Sequence, residues 1–488
     1  MKVLKINPIE LVSLRTDAHR KDVKTNPGLL LLTGILAITV SHLSYSVDII
    51  AWIANVPFLL YLSRTQGLKS RLVFVLALFV AWTFAVAKII TEPIPFAMVF
   101  LFSLPLTMIH LPAYLIWDRF KNRAYALFLF PLVAVIMEWL QYTCTPFASW
   151  GVAACTQSHS ITLLQTLSLF GLAGLSFLIY WINIAITDII RTKKLHFHTF
   201  CLPAGLLIVA FIYGSLRMDF VKSKTSEMVT FAAICTDSDV SGLPLPDETT
   251  NNGFKNKLLE RTIMAAKKGA KVVVWNEASV VIQKEHEKSW QDAIKAVVSD
   301  TQISLIASYI VPLSADPLQY ENKLLYINSK GEIEYRYMKH QPVPGEPSIK
   351  GNEPFKTMTD NGLKIGGAIC YDFDYPYIAR AYGKLDVNLV AVPSSDWRGI
   401  DPLHTRMATF RAIEQGYSVL RSTRFGLSAS INPLGEMTTR QSSFDKTPMI
   451  MTGELPIRRI TTLYSLIGDA FVYVCMGFLA LFFLRKNR

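Results

Sequence analysis

Three residues of different chemistry stand where strongly apolar runs give way to polar sequence. Glu277 follows Val272-Val273-Val274-Trp275-Asn276, Lys339 follows Tyr335-Arg336-Tyr337-Met338, and Cys370 follows Ile365-Gly366-Gly367-Ala368-Ile369. In an alternating α/β chain, the loops after such strands collect along one edge and build sites. A thiol, a carboxylate and an ammonium gathered there suit acyl transfer. The thiol attacks a carbonyl carbon, the carboxylate removes and returns protons, and the ammonium stabilises the developing oxyanion. Each residue alone carries little, because a cysteine after an apolar strand is ordinarily a packed core thiol.

The elements that would position these residues follow from the patterning between 217 and 463. Strands are expected at 229–235, 271–275, 303–310, 364–370, 387–392, 418–421 and 427–431. Helices are expected at 254–268, where Leu258, Leu259, Ile263 and Ala266 recur at helical spacing, and at 376–382 and 403–414. Segments 323–328 and 332–337 flank Ser329-Lys330-Gly331, a hairpin signal. This mixed order suggests sheets with helices packed outside them.

The remainder is of another kind. Hydrophobic residues make up 51% of the 488, and they concentrate before 217 and after 463. A spanning helix needs about 20 apolar residues. Expected spans are 28–46, 49–63, 71–91, 95–117, 124–142, 164–187, 199–216 and 464–484. No cleavage-site pattern follows the first, which is therefore expected to be retained. The net charge of +12 does not mark a nucleic-acid partner, because residues 217–459 hold 30 Lys and Arg against 28 Asp and Glu. The excess sits in the tails and at Arg64, Lys69, Arg71, Arg119, Lys121, Arg123, Arg191, Lys193 and Lys194, in alternate connections. The intervening loops near Ser44, at 91–95 and at 142–160 carry none, so the alternation predicts that both ends are cytoplasmic. The expected organisation is a cytoplasmic tail at 1–27, seven helices at 28–216, an extracytoplasmic domain at 217–463, and a last helix with a cytoplasmic tail at 464–488. Lys88 and Glu138 fall inside spans, where a structural pair or an interfacial end residue is the simpler reading. The six cysteines show no CxxC spacing and no zinc-finger histidines, so neither a metal site nor a disulfide framework is expected. Cys144 and Cys155 could pair only in an oxidising compartment.

The segments Val274-Trp275-Asn276-Glu277, Lys339-His340 with Pro344-Gly345-Glu346, and Gly366-Gly367-Ala368-Ile369-Cys370-Tyr371-Asp372 resemble the nitrilase, or carbon–nitrogen hydrolase, superfamily. Ser395-Asp396-Trp397, His404, Arg406-Met407, Arg411-Ala412-Ile413-Glu414 and Arg421-Ser422-Thr423 resemble its membrane-bound branch, the apolipoprotein N-acyltransferases. The resemblance implies an α-β-β-α sandwich carried by a polytopic helical bundle. It makes Cys370 the nucleophile, Glu277 the general base and acid, and Lys339 the oxyanion stabiliser. Glu346, Tyr371, Asp372 and Trp397 would then contact substrate. It further implies a glycerophospholipid acyl donor, a diacylated lipoprotein acceptor, no metal or diffusible cofactor, and a bacterial cytoplasmic (inner) membrane with the catalytic domain periplasmic or otherwise outside. Asn276 stands where the family usually has Pro, Asp372 where it has Glu, and no Trp equivalent is found after the first strand. An amidase or another amine acceptor, and a non-catalytic scaffold, are the alternatives these departures leave open.

Overall fold

The computed structural model describes residues 26–484 except 44–46, 124, 195–196, 225, 237–244, 361 and 446–448, and the side chains of 197–198. Among the described residues, seven helices of nine or more residues precede the α/β domain: α1 (Pro27–Ser41), α2 (Val56–Arg64), α3 (Leu68–Ala87), α4 (Met98–Phe120), α5 (Ala126–Cys144), α6 (Leu167–Thr192) and α7 (Phe197–Lys222). Five of them, α3 to α7, are long and apolar enough to cross a membrane. Their outer faces expose large apolar side chains, including Leu72 and Leu76 on α3, Phe100 and Leu104 on α4, and Val209 and Ile212 on α7. Water would penalise such a surface and hydrocarbon does not. The chain is a multi-pass membrane protein.

The expected span at 49–63 takes a different form. It is a 3-10 turn (Asp48–Trp52) followed by the nine-residue α2. Pro57 lies in the first turn of α2, where its missing N–H costs nothing, and the backbone N–H of Asn55 is bound by Asn183 Oδ1 at 2.8 Å. Composition gave one apolar run; proline and a buried amide divide it. In α6, Gly171 has φ +61, and a Cβ there would lie 2.5 Å from the ring of Tyr464. Only glycine admits both that backbone and that contact.

The cationic loops gather at one end of the bundle. Arg71 and Lys121 both pair with Asp118, at 2.9 and 2.8 Å, and Arg191 donates to the carbonyl of Lys121. The α/β domain docks on the other end.

That domain is an α-β-β-α sandwich. One sheet has the order β12 (Ile450–Pro456), β1 (Met228–Ile234), β2 (Val272–Trp275), β3 (Ser304–Ala315), β4 (Leu318–Ile327), β5 (Ile333–Met338). The other has the order β11 (Met437–Ser442), β10 (Leu427–Ile431), β9 (Ser418–Arg424), β8 (Leu389–Ser395), β7 (Leu363–Gly367), β6 (Met358–Asp360). Within them β1–β2–β3 and β7–β8–β9 run parallel. Phe231, Val274 and Ile306 meet Ile365, Leu389 and Leu420 between the sheets. Helices α8 (Glu248–Lys267) and α9 (Glu287–Thr301) cover the first sheet, and α10 (Pro376–Lys384) and α11 (Leu403–Gln415) cover the second. The last helix, α12 (Ala470–Leu484), returns to the bundle and packs on α5. Met407, Phe410 and Ile413 of α11 are buried in the bundle's own apolar core, so domain and bundle share one packed interface.

Candidate active site

Glu277 and Cys370 both stand just beyond parallel strands, β2 and β7, and Lys339 follows β5. All three are buried, at 4%, 3% and 1% exposure, deep enough to remove bulk water from their charges. Cys370 opens a 3-10 turn (Cys370–Asp374) with φ +50, a left-handed conformation that a non-glycine residue adopts only when its surroundings impose it. The residue after Glu277, Ala278, is left-handed too, at φ +47.

Lys339 Nζ lies 2.8 Å from Glu277 Oε1 and 2.6 Å from Glu346 Oε2. Asn322 on β4 donates to Glu277 Oε1 at 2.8 Å and to Glu346 Oε1 at 3.4 Å. Burial pushes the lysine toward neutrality, but the two carboxylates outweigh it and hold its pKa well above that of a free lysine. An ammonium has three N–H groups, so one remains after the two carboxylates are served. Glu346 is fixed by the Val343–Glu346 turn, in which its carboxylate accepts from Val343 N at 2.9 Å and Gly345 supplies φ +91. The thiol of Cys370 donates to Ser395 O at 3.7 Å. Burial, reinforced by the charge of Glu277, pushes that thiol well above its ordinary pKa against the pull of Lys339. Cys370 is therefore held as a thiol, and a base would be needed to make it nucleophilic.

Two cavities meet at Cys370. One, of about 290 Å3, is lined by Glu277, Lys339, Glu346 and Cys370 on the domain side and by Ile94 and Met98 on the bundle side. The other, of about 80 Å3, is almost wholly apolar and runs between Ile90, Met98 and Phe102 of the bundle and Cys370, Tyr371 and Trp397 of the domain.

The structure separates the four candidate contact residues. Glu346 belongs to the charged cluster. Tyr371 and Trp397 wall the apolar cavity with their rings and spend their polar atoms on the bundle, Tyr371 donating to Pro146 O and Trp397 to Ile89 O, both at 2.7 Å. Asp372 faces neither cavity described above. It is fully buried and accepts from Ile369 N (3.0 Å), Gln341 N (2.6 Å) and Tyr337 Oη (2.7 Å). It thus joins the cysteine turn to the segment after Lys339, and burial raises its pKa to about 6. All six cysteines are free, Cys144 and Cys155 among them.

Sequence reasoning missed Asn322, and it missed the role of a buried cluster on the other side of the thiol. His404 Nδ1 lies 2.8 Å from Asp396 Oδ1, which also accepts from Arg421 at 2.8 Å, and His404 Nε2 stands 3.2 Å from Asp374. Burial and Arg421 oppose charge on the imidazole; the two carboxylates outweigh them and raise its pKa. Cys370, Asp396 and His404 bring three potential ligand atoms within 4.8 Å of one another. Arg421 already shares the Asp396 oxygen, so the donor set is committed to an internal ion network and fits a metal poorly. Trp150, from the loop after α5, donates to Asp374 at 2.7 Å, and Ser149 donates to Asp374 O at 2.9 Å. The bundle therefore holds the cysteine turn directly.

Residues 232–464 match the carbon–nitrogen hydrolase family, and residues 34–185 match the apolipoprotein N-acyltransferase N-terminal domain. The apolipoprotein N-acyltransferase of Geobacter metallireducens is 25% identical over 93% of this chain and 95% of its own length. That of Borreliella burgdorferi is 26% identical over 67% and 68%. An amidase from Nesterenkonia sp. superposes on 51% of this chain and 96% of its own, at 17% identity and a TM-score of 0.41. Bundle and sandwich thus match, in order, the two parts of one kind of protein, and the chain belongs to the apolipoprotein N-acyltransferase family, the membrane-bound branch of the carbon–nitrogen hydrolases.

Proposed function

We propose that this protein N-acylates lipoproteins by a two-step transfer through a thioester on Cys370, with a glycerophospholipid as donor. In the first step Glu277 takes the thiol proton, sulfur attacks the ester carbonyl, and the free N–H of Lys339 receives the oxyanion. The C–O bond breaks, and Glu277 returns its proton to the departing alkoxide of the lysophospholipid. In the second step the α-amine of the diacylglyceryl-cysteine attacks the thioester. Glu277 takes the amine proton, the C–S bond breaks, and the proton restores the thiol. Each step moves one acyl group and one proton, with no change of oxidation state.

The observation that carries this reading is the meeting of a charged cavity and an apolar one at a single sulfur, the apolar one walled by membrane helices. A soluble amide needs no such wall, whereas an acyl chain does. Glu346 on this reading keeps Lys339 charged, Asp372 positions the turn, and Tyr371 and Trp397 line the chain's path. The cation-rich loops lie at the bundle end away from the domain, which supports a domain on the outer face of a bacterial inner membrane.

The test is transfer by the purified full chain in detergent from acyl-labelled phospholipid to a diacylated lipopeptide. Label on the peptide amine is the expected result. Label released only as free fatty acid would make the protein a hydrolase and overturn the proposal.

A further inference from the structure

We infer that a basic cavity at the opposite end of β1 from Cys370 binds the phosphate of an anionic glycerophospholipid and ties the two chain connections between bundle and domain. The cavity has a volume of about 600 Å3. It is formed where α7 runs into β1 and where the chain leaves β12 for the last helix, with the turn after β10 closing it. The two connections touch here, Ile457 N donating to Glu227 O at 3.0 Å and Arg458 N to Ser226 Oγ at 3.3 Å.

Four cations line it: Lys222 and Lys224 from the first connection, Arg458 and Arg459 from the second. Lys222 pairs with Glu436 at 2.6 Å and Arg459 with Asp386. Lys224 and Arg458, both exposed, have no acidic partner among the described residues. Two unneutralised cations, one on each connection, face one cavity in a domain whose overall charge is only about +2, from 30 basic and 28 acidic residues. A phosphate oxygen set answers both at once, as charge-assisted hydrogen bonds require.

The apolar part of the site selects a lipid over a free anion. Phe220 and Met228 line the same cavity and are 59% and 47% exposed, and Lys224 Nζ sits 4.0 Å over the Phe220 ring. From Phe220 the exposed face continues along α7 through Leu216, Ile212 and Val209. A headgroup held at Lys224 and Arg458 would lay its chains on that face, at the depth where a membrane helix ends. The seven residues of β1 put this site roughly 20 Å from the catalytic edge, so the lipid held here is not the molecule being cleaved.

The experiment is native mass spectrometry and thermal melting of the full chain in detergent, with phosphatidylglycerol, phosphatidylcholine or inorganic phosphate added. Wild-type protein should retain phosphatidylglycerol about tenfold more than phosphatidylcholine and melt higher with it, the scale expected for two cations on an anionic lipid. Lys224→Gln with Arg458→Gln should lose both effects while its transfer activity without anionic lipid stays unchanged. The charge-keeping pair Lys224→Arg with Arg458→Lys should retain them, which separates lost charge from lost fold. Equal phosphatidylglycerol retention by wild type and the glutamine pair would overturn the site. Displacement of the lipid by inorganic phosphate at equal concentration would overturn its assignment to a lipid.

Discussion

On the domain side of the two cavities at Cys370, Lys339, Glu277, Glu346 and Asn322 hold one another through ion pairs and hydrogen bonds between side chains. On the bundle side, Ile94, Met98 and Phe102 offer no charged or hydrogen-bonding side chain. The first wall fixes atoms to within a hydrogen bond. The second supplies volume and dryness, which many side chains could supply equally well. Chemistry therefore tolerates change on one wall far less than on the other, and substitutions should divide accordingly.

The largest effect is expected from Cys370→Ser. Transfer should fall below detection while the melting temperature stays near that of wild type, because a serine hydroxyl is much harder to ionise than a thiol. Glu277→Gln and Lys339→Ala should each lower the rate about a hundredfold or more, measured as label transfer. Lys339→Ala should also destabilise the fold by about 3–5 kcal/mol, since it leaves Glu277 and Glu346 buried without their cation. Glu277→Gln should in addition lower the pH midpoint of Cys370 alkylation, because it removes a negative charge that raises the thiol's pKa. A midpoint that stays put would separate Glu277 from the thiol.

On the bundle wall, Met98→Trp should lower kcat/KM for long-chain donors about tenfold and leave short-chain donors nearly unaffected, the scale of a lost apolar subsite. An equal loss for both would mean that the chain lies elsewhere. Asp372 gives the pH signature of the frame between the walls. Its carboxylate accepts three hydrogen bonds, and it gains a proton as the pH falls through about 6, so the rate should decline below that pH. Asp372→Asn should be slow throughout and lack this step. Stability runs the other way. The folded state holds this proton more tightly than the unfolded chain, so the stabilisation is present at low pH and is lost as the pH rises from 3.8 through about 6. The smallest effect is expected from Trp397→Phe, which removes one hydrogen bond to Ile89 O, about 1 kcal/mol in a melting experiment.

That Glu277, Lys339 and Cys370 lie together was legible because each follows an apolar run and carries flanks that resemble the family's. The hairpin at 323–337 and the strands before Glu277 and Cys370 were legible for the same reason. Helix α9 was missed although Trp290, Ile294 and Val298 recur at helical spacing, because charged residues fill the positions between them. The long β3–β4 hairpin was cut short at 310, since its outer residues alternate in exposure and lose their apolar signature. Strand β12 pairs with β1 across more than two hundred residues, a partnership no local pattern carries. His404, Asp374, Asp396 and Arg421 come together from four separate segments, and Trp150 joins them from the bundle. Their residue types were readable and their convergence was not. The same holds for the apolar cavity, whose two walls lie some 270 residues apart in the chain.

The central claim is that Cys370 carries the acyl chain at the meeting point of these walls. The most direct measurement gives the full chain a phospholipid with one defined acyl chain and no acceptor, quenches in acid, digests, and weighs the peptide containing Cys370. That peptide should gain the mass of the acyl group and lose it on treatment with neutral hydroxylamine. An enzyme that transfers at its normal rate while Cys370 stays unmodified, with the acyl group on another residue, would contradict the account.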